Sequence, residues 1–148
     1  MAARRKPEDA RIMSTDIINH IELPVADAER SRQFYEAALA PLGMSLVISI
    51  DPSRTSHGGA RHGFGKNGYP SLWFHEQGGE KLPIHLAFSA DDRETVRAFH
   101  AAALRNGGAD NGGPGIREQY HADYYAAYAL DPDGNNIEAV CFAVPNMC

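Results

Sequence analysis

Histidine and carboxylate are the side chains of this sequence with metal and acid–base chemistry to offer. The 148 residues include seven histidines but only two cysteines, Cys141 and Cys148. Two thiols cannot make a thiolate cage, so any bound metal must be held by histidine and carboxylate. The two cysteines lie too close together near the C-terminal end to staple a fold, which suits a reducing, cytoplasmic compartment. Three positions stand out: His20 and His85, each in an apolar strand-like run, and Glu138, between Ile137 and Ala139. A carboxylate in so apolar a setting is costly unless it is paired, protonated or bound to a metal. Two histidines and one carboxylate on one face form a facial triad with open positions. That set suits non-haem Fe(II) and equally admits Zn, Mn, Ni or Co. The competing reading is two hydrogen-bonded histidines and a salt-bridged glutamate.

The elements that must position these residues follow from periodicity. Asp16 to Val25 alternates as a strand, with Ile18, His20 and Glu22 on one face. Asp27 is placed to cap a helix over residues 28–40 with a Ser31, Phe34, Tyr35, Ala38, Leu39 stripe, ended by Pro41 and Gly43. A strand over 46–50, a long Gly/Ser/His loop over 51–65 and a strand over 70–76 follow. A second unit then begins: a strand over 84–89, a cap at Asp91-Asp92, and a helix over 93–105 with a Val96, Phe99, Ala103, Leu104 stripe. A glycine-rich link (107–115) leads to residues 116–120, a strand over 124–130, an Asp131-Pro132-Asp133-Gly134 turn and a closing strand over 136–144.

The two units are copies. An offset of 65 residues carries His20 onto His85, Asp27 onto Asp92, Glu29 onto Glu94, Arg32 onto Arg97, Phe34 onto Phe99 and Gly43 onto Gly108. Self-similarity at a fixed offset over strand, cap, helix and stop marks a repeated supersecondary unit. Each copy reads strand, helix, three strands. Equivalent strands of pseudo-symmetric copies come together, so the two imidazoles can converge.

Composition narrows the partners. Fourteen basic against nineteen acidic residues give a net charge of −5. The tail over 1–15 holds Arg4, Arg5, Lys6 and Arg11, so the body is more acidic still and has no footprint for nucleic acid. No apolar run approaches the roughly 18 residues of a membrane span. No apolar segment follows Arg4-Arg5-Lys6 to make a secretory signal.

Two βαβββ copies, a histidine in the first strand of each and the closing run Asp131-Pro132-Asp133-Gly134-Asn135-Asn136-Ile137-Glu138 resemble the vicinal oxygen chelate superfamily of glyoxalases, bleomycin-resistance proteins and extradiol dioxygenases. The resemblance spans residues 16–144. It implies an α+β fold whose modules, 16–79 and 83–144, form an incomplete barrel in a single glyoxalase-like domain, with 145–148 as a tail. It puts His20, His85 and Glu138 on the ligand positions for a divalent metal ion. It also implies a small substrate that chelates the metal through vicinal oxygens, lyase or isomerase chemistry and a homodimer. Thiol transfer and Fe(II) extradiol-type dioxygenation fit the same centre. Metal-free sequestration of a ligand, as in the bleomycin-resistance branch, is the reading from another class. Glyoxalase I has a further carboxylate ligand in its fourth strand. The offset from Glu138 puts Trp73 there, which can neither bind metal nor accept a proton, so Trp73 is read as lining the substrate site.

Other residues are assigned around that centre. Glu22 and His75 are the candidates for general base, Glu22 from the His20 face and His75 from the Trp73 face; the bland reading of both is a strand-end polar residue. His121 and Tyr125 are candidates to orient an oxygenated substrate; the bland reading of this cluster is that Tyr124 or Tyr128 simply packs the sheet. His57, His62 and His100 are assigned to the loop or to packing, and Cys141 to the side beneath a helix.

Overall fold

The computed structural model describes residues 16–56 and 58–142. The tails expected over 1–15 and 145–148, and the assignments of His57 and Cys148, lie outside them. The strands are β1 (Ile21–Val25), β2 (Ser45–Ile50), β3 (Arg61–Gly65), β4 (Leu72–Glu76), β5 (His85–Ser89), β6 (Ala109–Ile116), β7 (Tyr125–Leu130) and β8 (Asn136–Cys141). The helices are α1 (Ala28–Leu39) and α2 (Arg93–Arg105). This is the α+β arrangement of two βαβββ copies.

The copies share one sheet plan. One sheet runs β1-β4-β3-β2 and the other β5-β8-β7-β6. The first strand of each lies parallel to the last, and the remaining pairs are antiparallel. The 65-residue offset survives in the register: Glu22 pairs with Trp73, and Ala87 with Glu138. It survives in the next ladder too, where Gly63 faces Trp73 and Tyr128 faces Glu138.

Contacts divide the chain into two compact units. The first holds β1 to β4; the second holds α1 from Glu29 onward together with α2 and β5 to β8. Helix α1 therefore counts with the sheet of the other repeat. Its stripe explains why: Ser31, Phe34, Tyr35, Ala38 and Leu39 are all buried. Burying a large apolar side chain contributes roughly 1.5–3 kcal/mol. Tyr35 donates its hydroxyl to Asp131 Oδ2, and Ser31 Oγ lies 3.4 Å from Asp133 Oδ2. Asp131, itself buried, also accepts from the N–H groups of Asp133 (2.9 Å) and Asn135 (2.8 Å) and from Asn135 Nδ2 (2.9 Å). Gly108 is needed beneath this helix, because a Cβ there would stand 2.8 Å from the Phe34 ring. In α2, Asp92 caps the N-terminus, accepting from Thr95 N–H at 2.7 Å.

Five sequence expectations change. The first strand begins at Ile21, and residues 16–20 are exposed. Its partner β4 starts only at Leu72, whose register mate is Ile21. The end of the long loop is β3. Gly63 and Gly65 conceal it by composition, yet they are required: a Cβ on Gly63 would lie 2.9 Å from Pro70 Cβ, and one on Gly65 1.6 Å from Tyr69 O. The glycine-rich link is edge strand β6, interrupted by register shifts at Gly112. An edge tolerates Pro114, whose ring nitrogen has no proton to give. Leu104 of the expected α2 stripe is exposed, and Ala102 and His100 are buried in its place.

Candidate functional site

In the second unit the chemistry gathers around Glu138. β8 is buried at Ile137, Glu138 and Ala139, and the Glu138 side chain is only 3% exposed. Its Oε1 lies 2.9 Å from His85 Nε2, brought from the neighbouring strand β5. Its Oε2 accepts from the Tyr124 hydroxyl. On the far side of the imidazole, Asn136 Nδ2 stands 2.7 Å from His85 Nδ1, and Asn111 Nδ2 donates to Asn136 Oδ1 at 3.1 Å. One direction of donation satisfies the whole chain: Asn111 to Asn136, Asn136 to His85 Nδ1, His85 Nε2–H to Glu138. Burial, and then the bond to Glu138, push the Tyr124 phenol well above its ordinary range. Burial and the Glu138 charge raise Tyr128 as well, against the opposing pull of Arg117 stacked on its ring at 5.3 Å. Tyr124 therefore stays a donor to the carboxylate at any working pH.

Among the described residues, Glu138 has no permanently charged partner. A buried carboxylate held by a phenol and an imidazole has capacity for a cation. Two bonds of about 2.1 Å meeting near a right angle bring adjacent ligand atoms to about 3 Å. The 2.9 Å between His85 Nε2 and Glu138 Oε1 suits that, and Tyr124 is an outer partner that orients a ligating carboxylate. The pair thus fits as part of a metal site. Among the described residues, no three His, Cys, Asp or Glu side chains stand together as a metal-holding group.

In the first unit the equivalent face carries different chemistry. Glu22 Oε1 lies 2.9 Å from Arg61 Nε and 2.7 Å from Arg61 Nη2. The Arg61 guanidinium lies over the Trp73 ring at 4.7 Å, and Trp73 Nε1 donates to Pro70 O at 3.1 Å. His75 Nε2 is 3.0 Å from Gln77 Oε1. His75 Nδ1 is 3.2 Å from Glu22 Oε1 yet off any hydrogen-bonding direction, so it is buried without a hydrogen-bond partner. A cavity of about 450 Å³ opens here, its walls including Glu22, Arg54, Thr55, Arg61 and His75. Glu76 at its edge accepts from Ala28 N–H at 3.0 Å, a carboxylate at the positive start of α1.

The remaining expected residues are scattered. His20 is exposed just ahead of β1, its Nδ1 2.7 Å from Asn19 Oδ1. His121 Nδ1 accepts from Asp123 N–H at 3.0 Å, and its ring meets Phe142. Tyr125, expected to orient a substrate, lies on the α2 side, and Tyr124 lies on the Glu138 side. Strand alternation turns Tyr125 toward α2, where Arg93 and Arg97 lie 4.8 and 5.9 Å from its ring centre and Arg97 Nη1 donates to its hydroxyl. Tyr124 and Tyr128 take the Glu138 side. Tyr128 was recoverable from parity and register with Glu138, whereas Tyr124 precedes the strand and needed the fold. Arg61 was hidden in the segment read as loop. His62 and His100 are buried and held by Ser49 (2.7 Å) and Asp110 (2.9 Å). Cys141 is buried. No helix among the described residues is long and apolar enough to cross a membrane.

Comparison with known proteins adds a family context. The family model of the Glyoxalase/Bleomycin resistance protein/Dioxygenase superfamily matches residues 17–139. A glyoxalase/bleomycin resistance protein from Albidiferax ferrireducens T118 is 30% identical, with a TM-score of 0.67 over 85% of this chain and 99% of that one. The V278E mutant of glyoxalase I from Zea mays is 25% identical, with a TM-score of 0.63 over 83% of this chain and 45% of the maize chain. A glyoxylase/bleomycin resistance protein/dioxygenase domain from Frankia sp. EAN1pec shares the fold at 17% identity, with a TM-score of 0.66 over 86% and 98%. A search of curated proteins finds no match.

Proposed function

The chain belongs to the Glyoxalase/Bleomycin resistance protein/Dioxygenase superfamily, and on that premise we propose that it is a metal-dependent enzyme of the lyase or isomerase type. Its substrate is a small molecule that chelates the metal through vicinal oxygens. The observation that carries this reading is the buried Glu138 carboxylate, 2.9 Å from His85 Nε2 and without a fixed cation. His85 and Glu138 are two ligands, and His20 is the third by repeat and resemblance. A divalent ion held there supplies Lewis acidity to oxygens of the substrate. The chain's own residues do the rest. Tyr124 holds Glu138 through its second oxygen, and with an ion at Nε2 the His85 proton would sit on Nδ1, where the Asn136 amide would present Oδ1. Glu22 and His75, together in the first unit, are the candidates to move a proton. Glyoxalase I activity as such is disfavoured, because Trp73 occupies the register position equivalent to Glu138.

The second reading is metal-free binding of a ligand. It is favoured by one observation: both oxygens of Glu138 already have partners within the protein. Metal analysis separates the two. Protein purified without added metal is dialysed against Zn, Ni, Mn, Co or Fe(II) and its metal content measured. The enzyme reading expects one ion per chain, with affinity falling at least about 100-fold in Glu138→Gln and His85→Ala. A chain that carries no metal and takes up none of the five overturns it. Retention of metal by His85→Ala removes the ligand assignment, and undiminished affinity in His20→Ala removes the third ligand.

A further inference from the structure

The cavity of the first unit has its own chemistry. Its walls are rich in unused donors. Arg54 makes no ion pair and no side-chain hydrogen bond among the described residues. Arg61 directs Nε and Nη2 at a single oxygen of Glu22, which leaves Nη1 uncommitted. The guanidinium is also flattened against Trp73, so its orientation is set before anything binds. The two acids nearby each have one oxygen engaged. Glu22 is held by Arg61, and Glu76 by the Ala28 N–H at the start of α1. His75 Nδ1 is a buried ring nitrogen with no hydrogen-bond partner. A pre-oriented guanidinium and a second arginine call for an acceptor-rich ligand. The space, about 450 Å³, falls within the range of small-molecule sites.

We propose that this cavity binds a small organic carboxylate, held by Arg61 and Arg54, with Glu22 and Trp73 as the positioning residues that orient Arg61. A planar carboxylate can take the remaining Nη1–Nη2 edge of the Arg61 guanidinium with both oxygens. The inference does not depend on the metal reading, since none of its residues is a proposed ligand.

The chain supplies its own reporter. Trp73 is its single tryptophan and touches the guanidinium in question. Intrinsic fluorescence is followed during titration of the full chain with sodium glycolate, sodium succinate and inorganic phosphate at matched ionic strength. The expected result is a saturable change with a carboxylate. Binding weakens about tenfold in Arg61→Lys, which keeps the charge but loses the fork, and by a similar factor in Arg54→Ala. Arg105→Ala, on the last turn of α2, leaves binding unchanged. Circular dichroism verifies that each variant is folded; if Arg61→Lys is not, Arg54→Ala decides alone. No saturable response to either carboxylate, tighter binding of phosphate than of both, or unchanged binding in a folded Arg54→Ala overturns the proposal. So does loss of binding after treatment with EDTA, because the anion would then sit on a metal. Carboxylate binding by metal-free protein supports it even where the metal reading fails.

Discussion

Glu22 of the first repeat and Glu138 of the second lie on equivalent sheets but at different strands, and they are stabilised in opposite ways. In the first, Glu22 is on the opening strand and Trp73 on the closing one; in the second, Ala87 opens and Glu138 closes. Glu22 is 35% exposed and sits against a permanent cation, Arg61. Glu138 is 3% exposed and sits against a phenol and an imidazole. The first arrangement is electrically complete, and the second has capacity for positive charge. Duplication thus supplied one backbone twice, and a shift of the acid by one strand separated an arginine-rich cavity from a candidate ligand pair.

The contrast is sharpest where burial differs most. The turn after β7 is organised by buried Asp131, whereas the equivalent turn of the first repeat begins at Lys66, with Asn67 (φ 54°) and Gly68 (φ 77°) in the left-handed region. Asp131→Ala strands the Tyr35 hydroxyl and several amide donors at once. It is expected to cost about 3–5 kcal/mol in a urea unfolding experiment. Lys66→Ala is expected to stay within about 0.5 kcal/mol. Equal losses would mean that the turns are held alike.

The carboxylates themselves come next. Tyr124→Phe leaves the buried Glu138 Oε2 without its donor and is expected to cost about 1–3 kcal/mol in metal-free protein. Arg61→Ala at the more exposed pair is expected to cost at most about 1 kcal/mol. The reverse order would show that exposure does not set the difference between repeats.

The smallest expected effect is a slope. Burial, reinforced by Asp131, raises the Tyr35 phenol well above its ordinary value of 10.0. The unfolded chain therefore releases this proton at a pH where the native chain keeps it. Stability is intact below about pH 10 and falls as pH rises beyond it. Tyr35→Phe lowers the starting stability but flattens that fall, which thermal unfolding between pH 9 and 11 would reveal. An unchanged slope would place the alkaline loss elsewhere.

The sites were unevenly legible in the sequence. His85 and Glu138 were singled out because a repeat marks equivalent positions and an acid in an apolar strand stands out, and the fold brings them within 2.9 Å of each other. Tyr124 and Arg61 were missed for physical reasons. Tyr124 reaches Glu138 from the approach to β7, where periodicity has no meaning, and Arg61 begins a strand whose glycines imitate a loop. Gly63 and Gly65 are there because Pro70, Trp73 and Tyr69 come too close for a side chain. That closeness belongs to the folded sheet and not to any local propensity.

Periodicity, capping and self-similarity, all short-range or self-referential, were enough to determine that there are two equivalent copies, the α1 stripe and the Asp92 cap, but not strands β3 and β6. Tertiary structure decided the rest. It assigned α1 to the unit of the other repeat, through Tyr35 and Asp131. It turned Tyr125 toward arginines and Tyr124 toward Glu138, and it closed Arg61 over Trp73. Those outcomes depend on which surfaces meet across long stretches of chain. Packing and hydrogen-bond satisfaction select them only once the sheets exist.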